Sequence, residues 1–215
     1  MADIFQEVEE DLRRDKALGF WKKYQNTILG FVLIAVAATA GISGWKAYRQ
    51  RQIEANGAAF LTAMQAQEKD PKAAAAQFDA LVKDGGGFAI LARFQQAGQA
   101  LQDGDKAKAA DLYSAIARDG SVDGALKDLA AILAGQVLLD EGKPDDAAKL
   151  VQPLTGDNQS YRFSALDIQG QAALAAGDRK KAKDIYTQLK QLGALPNAPQ
   201  GVELRAEIML DRLRD

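Results

Sequence analysis

A run of 22 residues without a charge, Tyr24–Trp45, constrains this chain more than any other feature. As a helix it would be roughly 33 Å long at ~1.5 Å per residue, which matches the hydrocarbon core of a bilayer. Within it, Ile28–Ile42 is apolar except at Gly30, Thr39 and Gly41. Lys22 and Lys23 close one end; Lys46, Arg49 and Arg51 close the other. Phe20, Trp21 and Tyr24 on one side, and Trp45 and Tyr48 on the other, fall at the depth that amphipathic aromatics prefer. The run predicts a transmembrane helix over 24–45, preceded by a short segment over 1–23 and followed by a folded domain over 46–215.

Two other readings of the run stay open. A buried core helix can be this apolar, though such helices seldom go so long without a charge. A signal peptide cleaved near Ala38-Thr39-Ala40 would release the rest of the chain. Against cleavage, the leader is long for that role and holds six acidic residues against five basic ones. Counting Lys and Arg near each end gives five before the run and three after it. That bias puts the N-terminus in the cytoplasm and the domain outside it, in the periplasm of a Gram-negative cell. The expected location is thus an inner membrane, crossed once. Ahead of the run, Asp3 and Gln6 form a capping-box pair, and Ile4, Phe5, Val8 and Leu12 share one helical face fit for docking on a membrane surface or a partner. Ala37/Gly41 and Ala40/Gly44 are small pairs that let a second membrane helix approach.

The domain after the run is electrically balanced, with 22 basic and 23 acidic residues beyond position 23 out of 27 and 29 in the chain. Nucleic-acid binding requires clustered Lys and Arg, so this class is excluded. Cys and His are both absent, which removes disulfides, thiol nucleophiles, imidazole bases and the usual zinc ligands. Ala, Leu, Lys, Asp and Gln dominate and strand formers are sparse, an all-α composition.

The domain also repeats itself. Gly104-Asp105, Gly142-Lys143 and Gly177-Asp178 each join two apolar helical runs, at spacings of 38 and 35 residues. Seven residues before each glycine stands a small residue: Ala97, Gly135, Gly170. Five after it stands an alanine: Ala109, Ala147, Ala182. Nine after it stands a larger apolar residue: Tyr113, Val151, Tyr186. A degenerate earlier copy places Asp70, Ala74 and Phe78 in the matching positions. Small residues let paired helices pack closely, the glycine turns the chain, and the larger residue fills the gap to the next hairpin. No such hairpin buries its apolar face alone, so neighbours must stack. This pattern resembles the tetratricopeptide (TPR) repeat, whose period is ~34 residues. It predicts an all-α solenoid of about three to four helical hairpins. Pro199–Asp215, with Val202, Ala206, Met209, Leu210 and Leu213 at helical spacing, supplies a C-terminal capping helix. Gly85-Gly86-Gly87 lacks the Lys-Ser/Thr of a phosphate loop and reads as a linker.

No catalytic signature is present. Nucleophile-elbow, Walker, zinc and Rossmann spacings are all missing, and Asp103-Gly104-Asp105 lacks the further ligands of a calcium loop. The chain is therefore expected to be no enzyme, with no cofactor and no metal. The competing reading is an enzyme with an unrecognised carboxylate site, but no acidic pair stands at a telling spacing. In TPR domains the first helix of each hairpin lines a concave groove. Laid on this chain, the repeat frame places Phe94, Gly98 and Leu101, then Ile132, Gln136 and Leu139, then Asp167, Gln171 and Leu174 in that groove. The lining is apolar with amides and lacks a Lys/Arg/Asn clamp for a terminal carboxylate. It predicts binding of apolar or extended polypeptide. The competing reading is that these side chains are inter-helix core, or are covered by the helix that follows the membrane run.

The order of these parts carries a further resemblance. A short charged leader, Phe20-Trp21-Lys22-Lys23-Tyr24, one membrane helix, Trp45-Lys46 with Tyr48, and then degenerate TPR hairpins resemble the YfgM-like family of ancillary Sec-translocon subunits. The resemblance covers essentially the whole chain. It implies an inner-membrane protein with its repeats in the periplasm. It also implies association with the SecYEG translocon and a PpiD-type periplasmic chaperone, and help to exported polypeptides as they emerge and fold. Two alternatives remain: a TPR assembly factor for another envelope complex, such as cytochrome maturation or cell division, or a soluble periplasmic repeat protein if the N-terminus is cleaved.

Overall fold

The computed structural model describes residues 2–214; the side chains of residues 2–13, 15–17, 19, 20 and 28 lie outside that description. The docking face expected from Ile4, Phe5, Val8 and Leu12, and the Asp3/Gln6 cap, fall on those side chains and so lie outside the described residues. The described residues form nine α-helices, a short 3-10 turn at Gln152–Leu154 and no strand. The helices are α1 Ala2–Gln67, α2 Pro71–Asp84, α3 Gly87–Gln102, α4 Lys106–Arg118, α5 Gly124–Asp140, α6 Pro144–Val151, α7 Arg162–Ala175, α8 Arg179–Gly193 and α9 Val202–Arg212. The chain divides into two compact units, Met1–Ala55 and Asn56–Asp215.

The first unit is helical. The helix expected over 24–45 does not stop at Trp45, because no Pro, no cap and no left-handed glycine interrupts it there. Trp21–Gln67 holds one stretch apolar enough to cross a membrane, with a mean hydropathy of 2.0 and none of it buried. Leu29, Phe31, Leu33, Ile34 and Val36 are all exposed. A soluble protein does not leave such a surface to water, so the core-helix reading fails. Inside the run, Thr39 Oγ1 donates to the Ala35 carbonyl at 2.8 Å, which satisfies its hydroxyl without solvent.

The second unit is the repeat array. Residues 56–67 pair with α2, and α3/α4, α5/α6 and α7/α8 form three further hairpins, with α9 at the end. The three Gly-containing turns are built alike. Gly104, Gly142 and Gly177 adopt φ of 81°, 72° and 79°, where a β-carbon is strained. The next residue in each turn donates its N–H back to the closing helix: Asp105 to Ala100, Lys143 to Leu138, Asp178 to Ala173, at 2.8–2.9 Å. Asp105 and Asp178 then cap the following helix, accepting from Lys108 N at 3.0 Å and Lys181 N at 2.9 Å. Lys143 supplies no such cap; Pro144 in the first turn, which has no N–H to satisfy, takes over part of that role. The Gly85–Gly87 linker is a tight turn between hairpins, with Gly85 and Gly86 at φ of 79° and 78°.

The repeat pattern places the large residue in the gap to the next hairpin; in the structure it meets the small residue of its own hairpin. A β-carbon on Gly135 would stand 2.9 Å from Val151 Cγ1, and one on Gly170 2.7 Å from Tyr186 Cζ. Ala97, Ala109, Ala147 and Ala182 are fully buried. The degenerate first turn differs. Lys69 replaces the glycine and stays out of the left-handed region, and Asp70 N–H bonds to the Ala66 carbonyl at 2.7 Å. This tighter closure moves the small position by one residue. Ala63 is fully buried there, while Thr62 is exposed and donates to the Ala58 carbonyl.

At the far end of the second hairpin, Asp119 accepts from Ser121 Oγ at 2.6 Å, Ser121 N at 3.0 Å and Arg93 Nη1 at 2.7 Å. The Ser121 bonds first, and the Arg93 bond after them, hold the carboxyl at about 2. Its folded value lies below the unfolded one of ~3.9, so the stability it contributes is present above about pH 4 and lost as pH falls toward 2. Asp119→Asn is expected to flatten the acid limb of a stability curve over that interval. An unchanged limb would show that the three bonds do not distinguish folded from unfolded chain.

Candidate protein-binding groove

The nine groove residues expected from the repeat frame lie on the first helices of hairpins two to four. Phe94, Gly98 and Leu101 are on α3, Ile132, Gln136 and Leu139 on α5, and Asp167, Gln171 and Leu174 on α7. In α5 and α7 the small residue is pressed against the following helix, and in each of the three helices the positions three before, one after and four after the small residue share one side. Phe94, Ile132 and Leu139 are half-buried against the main core, and Leu174 against the C-terminal core. The Phe94 ring lies 5.9 Å from Tyr113, tilted by 54°. Leu101 and Gln136 are exposed. Phe94, Ile132, Leu139 and Leu174 thus have one edge in the core and one edge open. Gly98 is not there for space, since a β-carbon would make only an ordinary contact with the Tyr113 hydroxyl, at 3.8 Å.

The polar members are partly engaged. Gln171 Nε2 donates to Asp167 Oδ2 at 3.2 Å. Burial, and then the Asp167 carboxylate, push the Tyr186 phenol well above its ordinary value. That hydroxyl is buried and finds no partner with hydrogen-bond geometry. Tyr113 is also raised, by burial. Both phenols are therefore neutral near pH 7, and their rings serve packing. Among the described residues no group of three or more acidic side chains is placed to hold a metal.

The sequence frame missed the contribution of the first hairpin. Phe60 packs on Phe78 with ring centroids 5.8 Å apart, as Phe94 does on Tyr113. Phe60, Met64 and Gln67 therefore correspond to Phe94, Gly98 and Leu101. The Phe60-to-Phe78 separation is one residue shorter than the Phe94-to-Tyr113 separation, the one-residue shift of the first turn. The helix after the membrane run packs with Ala74, Phe78, Leu81 and Ala92 in a shared cluster, and Gln67 Nε2 reaches Gln99 Oε1 at 2.7 Å. It is built as a first repeat. A cleft of about 380 Å³ opens between hairpins one and two, with Phe78, Gln96, Gln99 and Leu112 among its lining residues.

Comparison with known proteins agrees with this architecture. The family model described as a tetratricopeptide repeat-like domain matches residues 19–205. A protein of Aggregatibacter actinomycetemcomitans named "Ancillary SecYEG translocon subunit" is 28% identical over 193 residues, covering 88% of this chain and 92% of the relative. A protein of the same name from Haemophilus influenzae is 24% identical over 190 residues, covering 87% and 91%. Both relatives carry the name that the YfgM-like resemblance implies, and the resemblance is borne out. With most of its length matched and its hairpins stacked in the register described, the chain belongs to the tetratricopeptide repeat-like domain family.

Proposed function

We propose that the protein is a non-enzymatic, membrane-anchored subunit ancillary to the SecYEG translocon. Residues 1–23 lie in the cytoplasm, 24–45 span the inner membrane, and 46–215 lie in the periplasm. The groove of Phe94, Gly98, Leu101, Ile132, Gln136, Leu139, Asp167, Gln171 and Leu174 holds extended segments of exported polypeptides, alongside a PpiD-type periplasmic chaperone. The observation that carries this reading is the pair of relatives, matched nearly end to end, whose name is that of a translocon subunit. The half-open apolar edges on α3, α5 and α7 support a role in polypeptide binding, and the five-to-three bias of Lys and Arg supports the orientation. The mechanism is one of local concentration. A membrane helix confines the groove near its partners, so contacts that are weak in solution suffice.

Photo-crosslinking in cells from Phe94, Leu139 and Leu174, with captured partners identified by mass spectrometry, tests it. Translocon subunits, a periplasmic chaperone or emerging exported chains are the expected catch. Capture of a cytochrome-maturation or cell-division complex would keep the architecture and overturn the assignment. An intact N-terminus on the membrane-bound protein is expected as well; a new N-terminus near Ala40 would replace the anchor with a cleaved leader.

A further inference from the structure

Gly98 stands in the interior of α3, where alanine would make a more stable helix. Neither a turn nor close packing accounts for it. Its φ is not positive, and a β-carbon would make one contact, with the Tyr113 hydroxyl at 3.8 Å. Tyr113 is 6% exposed, and its ring is enclosed by Phe94 and the main core. Its hydroxyl is different. Among the described residues that oxygen bonds no protein group, yet it is not enclosed as the partnerless Tyr186 hydroxyl is. It therefore reaches the surface of the array beside Gly98, on the side of α3 that carries Phe94 and Leu101. Burial raises the phenol above its ordinary range, so the proton is kept at pH 7 and can be donated.

The other hairpins are the internal comparison. The places of Gly98 and Tyr113 are held by Gln136 and Val151 in the third hairpin, and by Gln171 and Tyr186 in the fourth. Val151 has no hydroxyl. Tyr186 has one, but it is enclosed, and the Gln171 side chain beside it is turned to Asp167. In the first hairpin Met64 and Phe78 take the two places, again without a hydroxyl. Among the described hairpins, the second alone sets a tyrosine next to a residue with no side chain. A partnerless hydroxyl on an otherwise buried residue thus opens on the groove side at the one point where the lining helix has no side chain to cover it.

We propose that Tyr113 is a main-chain anchor of the groove: beside Gly98 its hydroxyl donates a hydrogen bond to a peptide carbonyl of an extended apolar segment, whose side chains lie on Phe94 and Leu101. The inference rests on the groove reading above and adds what holds the segment in place. A neutral donor between two apolar side chains suits an uncharged acceptor, since a charged one would lose its hydration there. A glycine in the wall lets a second backbone approach more closely than any side chain would allow. A peptide carbonyl inside a helix or a sheet is already bonded, so the segment that offers one is extended and unpaired, as in a chain not yet folded. Every residue carries such a carbonyl. The anchor therefore holds a segment without reading its side chains, and the apolar walls supply the preference for apolar ones.

The test uses the full chain in phosphatidylcholine nanodiscs and fluorescence anisotropy with three labelled peptides whose ends are blocked. All share one pattern of leucines; the residues between them are alanine in the first, serine in the second and glutamine in the third. Tyr113→Phe removes a hydroxyl that bonds no protein group and keeps the ring, so the fold is retained. It is expected to weaken all three peptides by the same factor, about threefold to tenfold, as the loss of one hydrogen bond allows. Gly98→Ala is expected to cause a similar loss by covering the hydroxyl, with no fall in the midpoint of thermal unfolding, and to add nothing to Tyr113→Phe in the double variant. Tyr186→Phe, whose hydroxyl is enclosed, should leave the affinities unchanged. Unchanged affinity in Tyr113→Phe or in Gly98→Ala would leave the hydroxyl to water and overturn the proposal, with the groove reading still standing. A loss confined to the serine and glutamine peptides would assign the bond to side chains, and an equal loss in Tyr186→Phe would assign the effect to packing; either overturns it. Binding of none of the peptides overturns the groove reading, and this inference with it.

Discussion

Replacing Gly193 with alanine is expected to lift α9 off the end of the repeat array. Gly193 is the last residue of α8, and its φ is one that alanine accepts. A β-carbon there would stand 2.6 Å from the Glu203 backbone nitrogen and 2.8 Å from Glu203 Cα. Those are backbone atoms at the start of α9 and have no rotamer to escape into, so the helix itself must move. Val202, Ala206 and Leu213 then lose their contacts with the cluster around Tyr186 and Leu189. Burial of one Val or Leu side chain stabilises by roughly 1.5–3 kcal/mol, so the loss is on the order of 3 kcal/mol. It exceeds the ~1 kcal/mol that alanine gains over glycine in a helix. Limited trypsin digestion reads the outcome. Cleavage at Arg205 and Arg212 should accelerate more than about tenfold, while hairpins one to three, which contact only their neighbours, keep their resistance. Unchanged cleavage at both sites would show that α9 is not held by this contact.

The second large effect lies one helix pair earlier. Gly170 of α7 leaves no room for a β-carbon against Tyr186, whose Cζ, Cε2 and hydroxyl would be 2.7, 2.8 and 3.0 Å away. Tyr186 is 1% exposed, so its ring is enclosed and has little freedom to withdraw. Gly170→Ala is expected to destabilise the last hairpin by about 1–3 kcal/mol through overpacking, in spite of alanine's better helix propensity. Tyr186→Ala alone should cost about 3–5 kcal/mol, the range for removing a buried aromatic ring. Together they should be far from additive, because the cavity left by the ring accepts the new methyl. Chemical denaturation of the four proteins gives the cycle. Additive losses would mean that the two residues are not the contacting pair on which the repeat pattern depends.

Pairs of positions divide what is readable in the chain from what is not. Gly170 and Tyr186, like Gly135 and Val151, stand at a fixed spacing around a turn glycine, so the sequence alone marks the positions, while the packing decides that each large residue meets the small one of its own hairpin. The membrane run is equally direct, since 22 uncharged residues and their charged and aromatic ends are properties of the string itself. The four hairpins and the capping helix were legible for the same reason: capping, left-handed turns and small-large pairing act within a few tens of residues. The first hairpin was legible only to within one residue. Lys69 closes its turn without the left-handed step, and no residue type announces the shift that puts Ala63 rather than Thr62 in the core.

The proposed groove depends on the tertiary structure. Periodicity places Phe94, Ile132 and Leu139 on one side of their helices, but how far each is buried follows from the angle and distance at which whole helices pack. Nothing in the composition of α9 distinguishes Arg205 from any other surface arginine. Its place beside Asp167, on the side away from the Lys190–Glu207 pair, exists only once α8 has folded back and α9 has crossed it. Hairpins are set by neighbours in sequence, and this chain's own residues determine them. How far each side chain is covered is set by residues far apart in the chain, and only the packed solenoid decides it.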